Sequence, residues 1–460
     1  MVVGYMAWGR SFAYLGIPQI NVFIGEMYIA AFMFARFGRV WFEIAPRSPH
    51  ASGRGIMTLL EDYRFILTIF ACYGVLCVAR GFLKEYLLMT SLQCFVYHAY
   101  ALYLIPALWI GLHRPDWLTL FVRWLSRIQG VYGLLYIAFL SSTNIMLPFK
   151  SMPLFSQPIG GAVAVLLLLA IPQAEPKTWV RSLSVLANLA VMLGMQVRAE
   201  WLGFGLGLVV LTVLYPPSRR AIFTFVGVFG LLMGIAAITD MKMEAPSGRG
   251  GEISARGIAG RIIAAVDAKT AAKYVDNADD VAGTIDWRKN WWREIWKSVV
   301  VKGDNATFFF GHGYGFPLTD LVNYIDAEEG VRTPHNIFFY NLAYCGWVGV
   351  ATSAMFQAVL VFGLWRAYRI TGSAVGLVFW IVEIGVALFS NYLETPCGAI
   401  PFYTVIGVCL APTLRPPPVK PTNPSISIDE RALAAFKRRQ PQQTRPTRRP
   451  IPRDDHLLPW

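Results

Sequence analysis

Three long apolar runs, at residues 160–171, 201–215 and 222–238, contain no charged residue. A helix needs about 20 mostly apolar residues to cross the hydrocarbon core of a bilayer, where backbone groups must bond within the segment. Membrane β-strands instead alternate apolar and polar residues, and these runs do not alternate. The pattern therefore predicts an all-α polytopic membrane protein.

Further apolar segments extend this prediction over most of the chain. Only 15% of the 460 residues are charged and the mean hydropathy is +0.46, whereas soluble proteins contain about 25% charged residues. We expect about 10–12 transmembrane helices and place eleven spans at residues 16–34, 63–79, 86–112, 128–143, 158–171, 182–197, 200–215, 221–239, 336–365, 375–392 and 397–412. They divide the chain into N-terminal transmembrane helices (1–239), one large loop (240–334), C-terminal transmembrane helices (335–412) and a tail (413–460).

Basic residues are concentrated in alternate loops and in the Pro- and Arg-rich tail. With eleven spans these loops lie on one side, which the positive-inside rule makes cytoplasmic. The large loop then faces outward, to the periplasm in a Gram-negative cell. It carries 12 basic and 14 acidic residues, so the formal net charge of +13 resides elsewhere and does not indicate nucleic-acid binding. The composition of the tail predicts a disordered cytoplasmic segment. The plainer interpretation is a solvated tail that fixes the orientation, and the alternative is a tail that also contacts anionic lipid head groups.

Arg198 lies between two apolar spans at the outward face. An arginine so close to the hydrocarbon is costly unless it has a partner or a function. One interpretation is a local pair with Glu200, or a side chain that reaches the lipid head groups. The other is a site for an anion such as phosphate, because the planar guanidinium donates two parallel hydrogen bonds and stays charged.

A tryptophan-rich segment at residues 287–296 carries Arg288 and Arg293. If it is helical, Arg288 and Trp292 share one face at i, i+4. Several tryptophans among a few basic residues are typical of a membrane interface, which is the plainer interpretation. The functional interpretation is that Arg288 joins Arg198 on a phosphate while an aromatic face that includes Trp292 stacks on sugar rings, with Arg293 a further candidate.

The glycines at 311, 313 and 315 do not have the spacing or the setting of a nucleotide-binding motif. Gly313 and Gly315 instead favour a tight turn or a close backbone approach to a ligand. His335 follows Pro334, where a helix is expected to begin at the membrane boundary. Its imidazole is a candidate general base, or a histidine that simply hydrogen-bonds the loop backbone. Asn336 would orient the ring or cap the helix.

No motif with metal-ligand spacing occurs, and the six cysteines lie in or near apolar segments without C-x-x-C spacing. We therefore expect buried, hydrophobic cysteines and neither a metal nor a cofactor.

Taken in order, these features resemble the O-antigen ligase and O-antigen polymerase superfamily of bacterial inner-membrane glycosyltransferases. The resemblance is sharpest over residues 195–352. Its motifs are the arginine that opens a glycine-rich span (198–207), W-R-x-x-W-W (287–292), F-G-x-G-x-G (310–315), H-N (335–336) and G-W-V-G (346–349).

The resemblance implies a GT-C-like fold and a metal-independent, inverting glycosyltransferase. Such an enzyme takes a glycan from an undecaprenyl diphosphate carrier. It passes the glycan to another lipid-linked glycan in a polymerase, or to the lipid A core in a ligase, alongside other polysaccharide-assembly proteins. Arg198 and Arg288 correspond to diphosphate-binding arginines, and His335 to the base or acceptor-positioning residue. We favour an O-antigen or exopolysaccharide polymerase over a ligase. A polysaccharide flippase is the competing class, and it would need charged residues along many helices.

Overall fold

The computed structural model describes residues 1–17, 22–45, 62–143, 145–147, 153–240, 242–244, 252–263, 270, 278–322 and 333–415. The predicted tail lies outside these residues from position 416 onward. In the described part, the only strands are two short antiparallel pairs: β1 (Gly16–Ile17) with β2 (Val22–Phe23), and β3 (Met243–Glu244) with β4 (Glu252–Ile253). All remaining regular structure is helical, as predicted.

Sixteen α-helices occur in the described residues. They are α1 (Val2–Ala13), α2 (Ile24–Glu43), α3 (Tyr63–Leu83), α4 (Leu88–Ala99), α5 (Leu104–His113), α6 (Trp117–Ala138), α7 (Gly161–Ala170), α8 (Thr178–Met195), α9 (Arg198–Leu214), α10 (Arg219–Ile238), α11 (Ala255–Ile263), α12 (Ala278–Trp296), α13 (Asn305–Phe310), α14 (Ile337–Thr371), α15 (Val375–Ala387) and α16 (Pro396–Leu410). A π-helical segment, Lys297–Val301, continues α12.

Six helical segments in the described part are long and apolar enough to cross a membrane. They are Tyr63–Leu83, Leu88–His113, Thr178–Met195, Pro216–Ile238, Ile337–Thr371 and Pro396–Leu414. Two shorter apolar helices, α7 and α15, also coincide with predicted spans. The other predicted spans overlap α2, α6 and α9, which are shorter or carry charged residues. The chain is thus an all-α polytopic membrane protein.

Side-chain contacts separate the two ends of the helix bundle. At one end, Trp109 Nε1 donates to Glu43 and the Tyr63 hydroxyl bonds to Thr413. At the other, Asn336 Nδ2 donates to Leu388 O. We call this second end the loop side, because the large loop leaves α10 and enters α14 there.

The N-terminal region departs from the sequence prediction. Residues 2–13 form a helix that was not predicted, and its twelve residues are too few to give the signal of a membrane span. The predicted span at 16–34 is shifted, since α2 begins at Ile24 and continues to Glu43. The Glu26 carboxylate accepts from Phe23 N and caps the start of α2. An Arg39–Glu43 ion pair supports its last turn, beyond the predicted end.

Close packing between α9 and α15 positions the loop-side end of α9. A Cβ at Gly203 would lie 2.8 Å from Val382 O, and one at Gly207 would lie 2.7 Å from a methyl group of Val382. Small residues four apart let two helices approach closely where lipid supplies no hydrophobic drive. Gly205 faces away from α15 and has nothing within 4 Å of a built Cβ.

We expect Gly203→Leu to destabilise the protein by about 1–3 kcal/mol or more, because the added carbons meet α15 backbone. Gly205→Leu is the matched control and should change the stability by less than about 0.5 kcal/mol. The measurement is the thermal midpoint of the purified protein in detergent. Equal midpoints for the two variants would refute the close contact.

Candidate functional site

Arg198 is held in place by a tight turn between α8 and α9. Gln196 ends α8 in the left-handed conformation, with φ of 54°, and Arg198 is the first residue of α9. The Trp201 indole donates to Met192 O at 3.1 Å, which ties the start of α9 to the last turns of α8. The guanidinium therefore emerges at the loop side from a braced helix start.

Arg288 reaches the same region from the large loop. It lies on α12, and its Nη1 donates to Phe389 O at 2.9 Å, just beyond the end of α15. The Trp291 ring on the same helix is fully buried, and its Nε1 donates to Leu318 O at 3.1 Å. The buried tryptophan anchors α12, so that Arg288 is presented to the end of the bundle.

The two guanidinium groups lie close enough to repel each other. Burial lowers the pKa of Arg198. Burial, followed by the positive charge of Arg198, lowers the pKa of Arg288. Within the described residues, Arg198 Nη1 and Arg288 Nε are buried without a hydrogen-bond partner. Two clustered cations with unused donors form a site that favours an anion.

His335 lies beside this pair in a strained backbone conformation. Its φ is 53°, a value that side-chain-bearing residues rarely adopt. Hydrogen bonds of the two neighbouring residues, Pro334 and Asn336, fix this conformation. Trp292 Nε1 donates to Pro334 O at 2.7 Å, and Asn336 Oδ1 accepts from Phe338 N and Phe339 N as the cap of α14. Strained residues of this kind are often found at functional sites.

The environment of His335 keeps its imidazole neutral. Burial, followed by the positive charges of Arg288 and Arg10, lowers its pKa to about 4. Its ring centroid lies 6.2 Å from that of Trp287. Near pH 7 the ring is therefore unprotonated and able to accept a proton.

Arg10 and Glu394 were not predicted as members of this site. Arg10 follows Gly9, whose φ of 51° bends α1, and its charge acts on His335. Glu394 lies next to Thr333, and burial raises the pKa of its carboxyl to about 8. Both carboxyl oxygens are buried, and the interaction with the Thr333 side chain opposes the rise in pKa without cancelling it. The carboxyl is therefore mostly neutral near pH 7 and able to donate a hydrogen bond.

Three further predicted site residues, Asn336, Trp292 and Arg293, differ in their contacts and exposure. Asn336 caps α14 and its amide donates to Leu388 O, so it connects the His335 turn to the Arg288 contact. The Trp292 ring stacks on Phe339, with centroids 5.3 Å apart. Arg293 is exposed.

Gly313 and Gly315 pack against neighbouring helices and do not line the Arg198–Arg288 site. Their φ values are 88° and 91°. A Cβ at Gly313 would lie 2.8 Å from Gly81 N, and one at Gly315 would meet Ser91 and Tyr86. These glycines let residues 311–315 pack against the loop-side ends of α3 and α4. Within the described residues, no group of three or more His, Cys, Asp or Glu side chains could hold a metal ion.

Comparison with protein families places part of the chain beside known proteins. Residues 183–354 match the family described as O-antigen ligase. The matched segment contains Arg198, Arg288 and His335 and covers α9, the large loop and the first half of α14. Comparison with curated proteins gave no match.

Proposed function

We propose that this chain transfers a glycan from a lipid diphosphate carrier to an acceptor hydroxyl. The match of residues 183–354 to the family described as O-antigen ligase supports this proposal. The favoured assignment is an O-antigen or exopolysaccharide polymerase using an undecaprenyl diphosphate donor. The observation that carries the proposal is the Arg198–Arg288 pair with its unused, buried donors beside a neutral His335.

The arginines would bind the diphosphate of the donor and stabilise the charge that develops on it. The acceptor oxygen forms a bond to the anomeric carbon as the bond from that carbon to the phosphate oxygen breaks. The electron pair leaves with the diphosphate, where fixed guanidinium donors stabilise it more than water would. In-line attack inverts the anomeric centre, and the arginines supply positive charge without requiring a metal.

His335 would take the proton of the acceptor hydroxyl, or hold that hydroxyl by a hydrogen bond. A positioned base supplies about 10²–10⁴-fold in rate. Holding two lipid-anchored substrates in line contributes through proximity. The neutral Glu394 carboxyl next to Thr333 would donate a hydrogen bond near the same turn.

Deletion of the gene followed by analysis of surface and carrier-linked glycans separates the candidate activities. A lost polymerase leaves single repeat units where the parent makes long chains. A lost ligase leaves full-length chains on the carrier that never reach lipid A. Loss of all outward-facing intermediates would instead indicate a flippase and refute the proposal.

We further propose an inner-membrane location with the loop side periplasmic and the C-terminus cytoplasmic, based on the distribution of basic residues. Asn290 and Ser373 are exposed at opposite ends of the bundle. A cysteine at Asn290 should react with an impermeant thiol reagent in cells with a permeabilised outer membrane, whereas one at Ser373 should react only after lysis. The parent protein, with its six cysteines, is the control. The reverse labelling would overturn the orientation.

A further inference from the structure

A second group of basic side chains lies at the loop side, away from Arg198 and Arg288. It consists of Arg80 and Lys84, with the imidazole of His312 beside them, and we call the two cations the second cationic cluster. Arg80 lies in the last turn of α3, and Lys84 follows as the residue that ends the helix. Lys84 is exposed and Arg80 half-buried. None of these residues takes part in the site described above.

Hydrogen bonds fix the backbone of residues 311–313 beside this cluster. Arg80 Nε donates to Gly311 O at 2.9 Å, and His312 N and Gly313 N donate to the carbonyls of Ala343 and Tyr344. Within the described part of the chain, Arg80 makes no other side-chain hydrogen bond or ion pair. Its two Nη groups therefore remain as donors on a rigid support.

His312 lies beside the cluster as a neutral imidazole. Its Nε2 lies 2.7 Å from Ser298 Oγ, and its ring stacks on Phe316 with centroids 4.1 Å apart. Burial, followed by the charges of Lys84 and Arg80, lowers its pKa to about 4. The nearby carboxylate that offsets these charges belongs to Asp304 and already accepts from Thr307 N at the start of α13.

The second cationic cluster and the Arg198–Arg288 pair are connected by one helical segment. Arg288 and Ser298 lie ten residues apart on α12 and its π-helical continuation, which corresponds to about 15 Å along the axis. The Trp296 ring on this helical segment belongs to a group of aromatic rings in mutual contact. Trp296 and Trp347 have centroids 6.1 Å apart, and Trp347 and Phe338 also 6.1 Å. Such rings are suitable for contact with sugar faces.

We propose that the second cationic cluster binds the phosphate group of the lipid-anchored acceptor. The proposal rests on the proposed glycosyl transfer, which requires two lipid-anchored substrates side by side. A fixed guanidinium with free Nη donors and a flexible ammonium suit a phosphate oxyanion. The spacing leaves room for the reacting sugars between two head groups. In a polymerase the phosphate belongs to a second carrier diphosphate, and in a ligase to phosphorylated lipid A.

Binding stoichiometry tests this proposal in the full-length protein reconstituted in nanodiscs. With undecaprenyl diphosphate as the probe, we expect two sites per chain in the parent protein and in the Lys289→Ala control. The Arg80→Ala with Lys84→Ala variant should lose the second cationic cluster and keep the Arg198–Arg288 site. The Arg198→Ala with Arg288→Ala variant should lose the Arg198–Arg288 site and keep the second cationic cluster. Lys84→Glu keeps the Arg80 anchor, and should weaken the second site about 10- to 100-fold without changing the thermal midpoint.

A second arm replaces the probe with phosphorylated lipid A. If lipid A binds at the second cationic cluster and undecaprenyl diphosphate binds only once, the acceptor is that of a ligase. Unchanged stoichiometry of both probes in the Arg80/Lys84 and Lys84→Glu variants would overturn the proposal. Equal competition by phosphatidylglycerol would also overturn it, because it would indicate a general lipid contact. A different result would contradict the donor assignment instead. In that result, the parent protein binds the probe at the Arg80/Lys84 site, and the Arg198→Ala with Arg288→Ala variant binds it equally well.

Discussion

Replacing either Arg198 or Arg288 by alanine is expected to reduce glycan transfer by about 10²–10³-fold, the size of effect found when one fixed donor to a developing oxyanion is removed. The amount of protein in the membrane should stay near normal, because relieving the repulsion between two half-buried cations offsets the lost contacts. The measurement is transfer by purified enzyme with a lipid-linked donor, beside expression and thermal midpoint.

Lysine variants and one matched arginine make this test specific. Arg198→Lys and Arg288→Lys should restore only part of the activity, since a point charge lacks the two-pronged geometry of guanidinium. Arg293→Ala removes an exposed arginine of the same helix as Arg288 and should leave transfer within about twofold of the parent protein. Full activity in both alanine variants would leave only an interface-anchor role for these residues.

His335→Ala should lower turnover by about 10²–10⁴-fold while donor binding persists, because the arginines remain. His335→Gln separates two roles of the ring. If the imidazole accepts the proton, the glutamine variant is as inactive as alanine, whereas a positioning role predicts partial activity. His335→Gly controls for the backbone, because glycine tolerates φ of 53° without strain. Parental turnover in the alanine variant would remove His335 from the mechanism.

The pH dependence provides an independent check on His335. Its pKa of about 4 in the free enzyme predicts that kcat/KM falls only near pH 4, not near the ordinary histidine value of 6.5. A bound diphosphate would offset the positive charges of Arg288 and Arg10 and raise the histidine pKa, so the acid limb of kcat should lie at higher pH. In the folded protein the lowered pKa also makes stability decline as pH falls from about 6.5 towards 4. Identical acid limbs for kcat and kcat/KM would contradict this coupling.

The sequence allowed the membrane fold and the principal candidate residues to be predicted for physical reasons. Charged side chains are costly beside apolar spans, so Arg198 was conspicuous between two of them. Arg288 and His335 were marked by their tryptophan-rich and helix-start settings. The structure brings these three residues together across about 140 positions, which composition and periodicity do not encode. Their roles remain predictions.

Arg10 and Glu394 could not be predicted by the same reasoning. Arg10 is one basic residue near the start of the chain, and only the bend at Gly9 and the packing of α1 direct its charge to His335. Glu394 resembles an ordinary loop carboxylate between two apolar segments. Its significance comes from burial next to Thr333, a contact between residues about 60 positions apart.

In the proposed transfer reaction, the mutual repulsion of Arg198 and Arg288 also affects the step that follows transfer of the glycan. Any diphosphate between them relieves that repulsion, whether or not it still carries a sugar. The pair therefore distinguishes poorly between the incoming donor and the spent carrier that remains after transfer. Release of the spent lipid diphosphate, rather than formation of the glycosidic bond, is then expected to be the rate-limiting step. Spent carrier that accumulates in the membrane is expected to act as a competitive inhibitor.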